Sequence, residues 1–346
     1  MVATRVFFLG ATGYVGGPVA QRLIDRGFKL TALVRSDDSR AAALRERGAE
    51  TVVGTLESVD LIKEQASQAD AVFACATNNH LPSTEAILAG FKEKKEKTGA
   101  VGILVQTSGT GIYTTGDARG LAPGPESKVY SDEDIAAIEA LGTAHPQRKV
   151  HVRVIESAEK GEVRSFFVLP STIFGVSSEK GVVSIFSKHS NQMPALIRGS
   201  LRKKQAGLVG EYKNTCASRP LVHTDDLTDL YSLVLDAAFT GKDAGSGRTG
   251  FYNAANGQYV GVEAAAAVGE AMYKRGLAKT KEPARFTEEE MKANYGAYAN
   301  FAGTNSQATS ERSRRLGWQP KHDHASFIAS LDYEVESIYK EEFEGK

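Results

Sequence analysis

The sequence predicts an α/β protein, a doubly wound parallel sheet with a smaller C-terminal lobe, and three observations carry that prediction. An apolar strand, Arg5-Val6-Phe7-Phe8-Leu9, runs into Gly10-Ala11-Thr12-Gly13-Tyr14-Val15-Gly16 and then into a helix-like stretch. Strand-like and helix-like runs alternate from there to Arg164–Leu169, the pattern of a parallel sheet whose ligand crevice lies at the strands' carboxyl ends. Beyond residue 176 the alternation gives way to helices and turns with few strand-like runs, which suits a lobe built over the crevice.

The first helix is marked by Val15, Val19, Leu23 and Ile24 on one face. Pro18 stands in the first turn, where its missing N–H costs little, and Gly27 where a C-cap belongs. Lys29–Val34 is the second strand. Ala41–Arg47 then reads as a helix, Thr51–Val53 as a strand, Val59–Gln68 as a helix and Ala71–Ala76 as a buried strand. Thr84–Lys97 reads as a helix with a charged, solvated tail, Gly102–Thr107 as a strand, and roughly Gln147–Glu159 as the helix before the strand Arg164–Leu169. The dinucleotide domain is expected over 1–176, with 216–255 returning to it, and the lobe over 177–215 and 256–346.

A strand, glycine loop, helix and second strand within about thirty residues form the unit that makes a glycine pattern a Rossmann-type dinucleotide site. The helix N-terminus offers unpaired N–H groups and a positive dipole end to a pyrophosphate, and glycines let the backbone approach it. Gly10, Thr12, Gly13, Tyr14, Val15 and Gly16 are the expected contacts there. A carboxylate after the second strand would select the unphosphorylated ribose. This chain has Arg35 and Ser36 at that point, and a guanidinium suits a 2′-phosphate, so the expected cofactor is NADP(H). Arg40 is a further basic residue nearby. Ala74, Ala76, Thr107 and Pro170, at the carboxyl ends of later strands, complete the expected cofactor contacts.

Composition sets limits. The 346 residues carry 42 basic and 42 acidic side chains, so no charge imbalance points to nucleic acid or an anionic membrane as partner. Cys75 and Cys216 make neither a disulfide framework nor a metal cluster; Cys75 reads as a small core residue. No targeting segment and no run of about twenty apolar residues is visible, so a soluble, cytoplasmic protein, monomer or homodimer, is expected. No metal is expected: Asp132, Glu133 and Asp134 follow Ser131 as a helix start would, and Asp117 adds no convincing ligand.

The loop spacing, glycine then two residues, twice over, resembles that of the extended and atypical short-chain dehydrogenase/reductases, the epimerase/dehydratase-like and NmrA-like proteins. Further landmarks follow in the family's order. Thr107-Ser108-Gly109-Thr110-Gly111-Ile112-Tyr113 looks like the serine-rich loop near the nicotinamide. Leu169-Pro170-Ser171-Thr172-Ile173-Phe174-Gly175 resembles R-P-x-x-x-Y-G, with leucine in place of arginine. Leu221-Val222-His223-Thr224-Asp225-Asp226-Leu227 and Leu316-Gly317-Trp318-Gln319-Pro320 resemble V-H-V-D-D-L and L-G-W-x-P. In these elements Asp225 or Asp226 is expected to cap a helix, and Trp318 to anchor packing at a helix end. The basic residues Arg198, Arg202, Lys203 and Lys204 read either as a solvated helix end or as an anchor for an anionic substrate.

Redox members of that family resemble one another in a tyrosine followed four residues later by lysine, on the helix before the strand matching Arg164–Leu169. The ammonium lowers the phenol's pKa from the same helix face. None of the twelve tyrosines here has a lysine four positions on, and Tyr130 is followed by Asp134 instead. The resemblance therefore implies an NADP(H)-dependent oxidoreductase of a small carbonyl or related metabolite that lacks the usual pair. Ser108, Thr110, Tyr113 and Tyr130 are the candidate polar groups, Ser108 foremost. Two other readings remain open: a redox sensor or regulator that binds NADP(H) without turnover, and a non-redox isomerase or cyclase with His145, His151 or Lys149 near the site.

Overall fold

Seven parallel strands carry the fold in a computed structural model that describes residues 4–114, 128–179, 186–210, 218–241, 244–299 and 302–345. Cys216, Asp117 and part of the expected lobe segment 177–215 lie outside the described residues.

The chain begins β1 (Arg5–Leu9), α1 (Gly16–Asp25), β2 (Lys29–Val34), α2 (Ser39–Glu46), β3 (Glu50–Val53), α3 (Val59–Gln68), β4 (Ala71–Ala74), α4 (Leu81–Thr98) and β5 (Gly102–Thr107). It continues through β6 (Val129–Ser131), α5 (Ile135–Glu139), α6 (Pro146–Glu159), β7 (Val163–Pro170), β8 (Thr172–Phe174), α7 (Gln192–Lys203), β9 (Gly207–Leu208), β10 (Ser218–His223), α8 (Thr224–Thr240) and β11 (Phe251–Ala254). The last elements are β12 (Gln258–Val260), α9 (Gly261–Lys274), β13 (Ala284–Arg285), α10 (Glu288–Tyr295), β14 (Gln307–Thr309), α11 (Glu311–Arg315) and α12 (His324–Glu342).

The sheet order is β3-β2-β1-β4-β5-β7-β11, so the chain reverses its winding between β1 and β4. Both faces are covered, and the strand side chains divide with period two. Val6 and Phe8 join the core on the side of α1 and α8, where Phe8 stacks on Phe73 at 5.2 Å. Phe7 and Leu9 join the opposite core with Ile62, Phe91 and Val154 from α3, α4 and α6. Each fully buried phenylalanine contributes on the order of 1.5–3 kcal/mol of transfer free energy. A third core gathers Met193 and Ile197 of α7, Val268 of α9, and Phe327, Leu331, Val335 and Ile338 of α12, the last four at the spacing of one helix face.

Segment 216–255 splits. Within it β11 pairs with β7 as an edge of the main sheet, whereas β10 pairs with β8 and β12 in a separate three-stranded sheet. Of the four basic residues at the end of α7, Arg202 and Lys204 are exposed, while Arg198 and Lys203 are held in ion pairs. Arg198 grips Glu342 of α12 through two nitrogens, Lys203 pairs with Glu290 of α10, and Arg202 bonds Asn294. The charged tail of α4 is only partly solvated, because Lys94 turns inward to Asp70 and the Ala69 carbonyl. Neither Asp225 nor Asp226 caps α8. His223 does, its Nδ1 accepting from the Asp225 N–H, while Asp226 accepts from the N–H groups of Lys321 and His322. Trp318 is buried and donates its indole N–H to the Asp226 carbonyl. No helix among the described residues is long and apolar enough to cross a membrane.

Candidate functional site

The glycine loop sits at the winding reversal, pressed against the end of β4. Gly10 has φ +91°, and a Cβ there would lie 2.6 Å from the backbone nitrogen of Ala76. A Cβ on Gly16 would lie 2.1 Å from the Gly10 carbonyl oxygen. Two of the three glycines thus serve close backbone packing. Gly13 differs, since a Cβ there would meet one atom within 4 Å, the Gly10 oxygen at 3.3 Å, and otherwise face open space.

The first helical turn begins early, with Gly17 N–H donating to the Gly13 carbonyl at 2.8 Å. Helix α1 has no side-chain cap and no acidic residue in its first turn. The orphan N–H groups of an uncapped N-terminus, reached over glycines, fit a pyrophosphate. Val15 packs on the core, and the Tyr14 hydroxyl donates to the Gly175 carbonyl at 2.6 Å, so these two contribute backbone rather than side chain to the loop. Phe186 packs against Gly17, and the Ser187 N–H reaches the Thr12 carbonyl at 3.4 Å, which braces the loop from the lobe side.

Arg35 and Ser36 are exposed just beyond β2. The two acids that follow are committed elsewhere. Asp37 pairs with Arg45, and Asp38 caps α2 through the N–H groups of Arg40 and Ala41 while accepting from Ser36. Those backbone bonds hold the Asp38 carboxyl below its usual range. Arg40 pairs with Asp38 at 3.3 Å, whereas Arg35 has no ion-pair partner among the described residues.

Ala74 is buried and Ala76 exposed at the end of β4. Cys75 lies just past that strand rather than within it. Burial pushes its thiol up to about 12, against hydrogen bonds from Thr107 and Tyr231. The Thr107 hydroxyl itself lies 2.6 Å from the Tyr231 hydroxyl. Pro170 ends β7, its carbonyl oxygen 3.5 Å from where a Gly109 Cβ would stand.

Ser108 follows β5 and is almost fully buried. Its Oγ lies 2.8 Å from Nε2 of His151 and donates to Oε1 of Gln147 at 3.0 Å. Both partners stand on α6, four residues apart and so on one face. The Arg148 guanidinium lies 3.3 Å from His151 Nδ1. An arginine can only donate, so Nδ1 accepts and the neutral ring carries its one proton on Nε2, directed at Ser108. Burial, and after it the Arg148 charge, hold His151 well below the ordinary imidazole range. The ring is wedged against Phe167 and Phe251. This is the wrong tautomer for a base that would deprotonate Ser108.

The other candidates hydrogen-bond elsewhere, although Tyr113 lies within electrostatic reach of Arg148. Tyr113 is buried and stacks on Tyr130 at 4.6 Å; its hydroxyl donates to Asn253 at 3.0 Å, and burial raises its pKa. Tyr130 belongs to the short β6–β14 pair, with its carbonyl accepting from Asn253. Thr110 is buried in the turn between them and Ser108, its carbonyl accepting from Ser306. The Ser108 hydroxyl makes its hydrogen bonds to Gln147 and His151, and among the described residues none joins it to Tyr113, Tyr130 or Thr110. His145 caps α6 through the Gln147 N–H, and Lys149 is exposed. Gln147 and Arg148 are the site residues that sequence reasoning passed over. Asp132 and Asp134 have structural duties, Asp134 as the cap of α5 and Asp132 as acceptor for the N–H groups of Asn253, Arg312 and Ser313.

A family model described as NAD(P)H-binding matches residues 10–123, the stretch from the glycine loop past Ser108. The backbone agrees with solved structures over its whole length: a crystal structure of UDP-glucose 4-epimerase superposes with a TM-score of 0.67 at 15% identity, covering 99% of each chain. The fold is that of the extended short-chain dehydrogenase/reductases. The chain thus carries a stretch that matches an NAD(P)H-binding model on a fold shared with that epimerase. It is 27% identical over 335 residues to oxidase ucsJ of Acremonium sp, covering 91% of this chain and 92% of that one. Over 82 residues, 24% of each chain, it is 34% identical to 4-hydroxy-2-methyl-3-oxo-4-farnesyl-3,4-dihydroquinoline-1-oxide ketoreductase of Stigmatella aurantiaca.

Proposed function

We propose that this chain is an NADP(H)-dependent oxidoreductase acting on a small carbonyl or related metabolite, with Ser108 as the polar group nearest the chemistry. The observation that carries the cofactor choice is Arg35, exposed and without an ion-pair partner among the described residues, beside two aspartates already committed to Arg45 and to the cap of α2. A carboxylate free to accept from a ribose 2′-hydroxyl is missing where it would be needed, and a guanidinium is offered to a 2′-phosphate. The relatives named as an oxidase and a ketoreductase support redox chemistry. Calorimetric titration with NADPH and NADH tests the first half of the reading, and equal affinities would refute it. NADPH absorbance followed across a panel of aldehydes, ketones and quinones tests the second.

One observation favours binding without turnover. The group beside Ser108 contains no side chain that titrates near neutrality, so it supplies no ready proton. A redox sensor would bind NADPH and NADP⁺ with different affinities and consume neither across that panel.

A further inference from the structure

The residues around Ser108 form a hydrogen-bond chain with one direction. Arg148 donates to His151 Nδ1, His151 Nε2–H donates to Ser108, and the single Ser108 proton goes to Oε1 of Gln147. Arginine has no acceptor and a neutral imidazole has one N–H, which sets the first two steps; the third follows from Gln147 Oε1 being the atom that faces Ser108 Oγ at 3.0 Å. The last link fixes the Gln147 amide: with Oε1 facing Ser108, its NH₂ group points away from the chain. Gln147 is half-buried at the start of α6, whereas the three groups behind it are buried.

We propose that Gln147 and His151 stand in the places of the tyrosine and lysine of the redox family members, and that the chain presents the Gln147 amide NH₂ as a neutral donor for a substrate oxygen. The spacing is the same, four residues on one face of the helix before β7, and both side chains reach the serine that follows β5. The chemistry differs. A phenol beside an ammonium can give up a proton, but an amide cannot. The site therefore holds an oxygen that carries negative charge without protonating it, which suits a conjugated carbonyl compound whose charged form is an enolate or phenolate. A simple alkoxide is too basic to be left without an acid. His151 acts through Ser108 and Gln147 and is a positioning residue. The inference rests on the reading of this crevice as the substrate site.

Two measurements test it, and the first needs no cofactor. In the full-length protein labelled with ¹⁵N, the His151 ring should show the Nε2–H tautomer and no titration between about pH 5 and pH 8; an Nδ1–H tautomer or a titrating ring overturns the chain. In the second, 4-nitrophenol is added to NADP⁺-loaded protein. Preference for the phenolate by about tenfold should lower the probe's apparent pKa by about one unit on binding and shift the Gln147 side-chain NH₂ resonances. Gln147→Glu, an acceptor only, should remove that preference. His151→Leu should weaken it, and His151→Gln, which keeps a donor toward Ser108, should restore part of it. Failure of the loaded wild-type protein to bind the probe, or a preference for the neutral phenol, overturns the proposal. Failure of NADP⁺ to bind would instead refute the cofactor reading and leave the tautomer measurement to decide the chain.

Discussion

Gly10 and Gly13 belong to one loop, yet substitution should separate their duties. In Gly10→Ala the new methyl would stand 2.6, 2.7 and 2.8 Å from backbone atoms of Ala76 and Cys75, and φ is +91°. Backbone packed this closely cannot swing aside as a side-chain tip can. Overpacking costs about 1–3 kcal/mol, and a left-handed backbone on a non-glycine residue adds about 1–2 kcal/mol. The sum is about 2–5 kcal/mol, a large share of the stability of an ordinary domain. In Gly13→Val the Cβ meets one oxygen at 3.3 Å and φ is not in the left-handed region, so the cost should stay near ~1 kcal/mol. Its side chain projects instead where a pyrophosphate would approach the orphan N–H groups of α1. Urea unfolding followed by circular dichroism should therefore show a large loss for Gly10→Ala and a small one for Gly13→Val. Fluorescence titration with NADPH should show binding abolished in the folded Gly13→Val protein. Wild-type NADPH affinity in Gly13→Val, or wild-type stability in Gly10→Ala, would refute this account of the loop.

Further outcomes follow from the same geometry. Arg35→Asp should reverse the cofactor preference, NADPH weakening and NADH gaining, as read by calorimetry. Where turnover is found, Ser108→Ala should lower kcat at least tenfold while Tyr130→Phe leaves it within twofold, because Tyr130 stacks on Tyr113 and the serine hydroxyl bonds to Gln147 and His151 instead. Asp132 should give stability a pH dependence. Burial, against the hydrogen bonds it accepts, raises its carboxyl from 3.8 to about 6, so the native fold holds that proton more tightly than the unfolded chain. Its contribution then falls as pH rises from about 4 to about 6, by up to about 3 kcal/mol, and levels off above. Urea midpoints across that window should show the slope in the wild type and not in Asp132→Asn; equal slopes would count against it.

Much of the sheet was legible because its signals are local. Phe7 and Phe8 point to opposite cores, Pro18 falls in a first turn and Gly27 takes φ +84°, each dictated by neighbours in sequence. Val59–Gln68 and Gly102–Thr107 have the bounds their patterns predict. What escaped was set by partners far along the chain. Arg198 and Lys203 look solvated in sequence, yet their acids lie 144 and 87 residues away. Asp225 and Asp226 look like caps because aspartate is a good one. The preceding histidine fills that place with Nδ1, and Asp226 is drawn off to hold the turn after Trp318.

Ser108 was legible as a candidate and the residues bonded to it were not, and the reason is physical. Searching for a tyrosine and a lysine is a search for titratable groups, whose chemistry announces them by type. Gln147 is uncharged and stands in a first helical turn, where a polar residue is ordinary, and His151 is one of seven histidines. The available signal was relational: two hydrogen-bonding residues four apart, on the helix where a pair was expected and not found. Only the fold brings that face of α6 to within 3.0 Å of the serine after β5. Once there, Arg148 sets the tautomer, since a donor that cannot accept makes His151 a donor to Ser108, and Gln147 Oε1 takes the serine proton. The geometry thus replaces an acid with an oriented dipole. Under the proposal made above, the place for a substrate oxygen is kept and the proton that would have been given to it is gone.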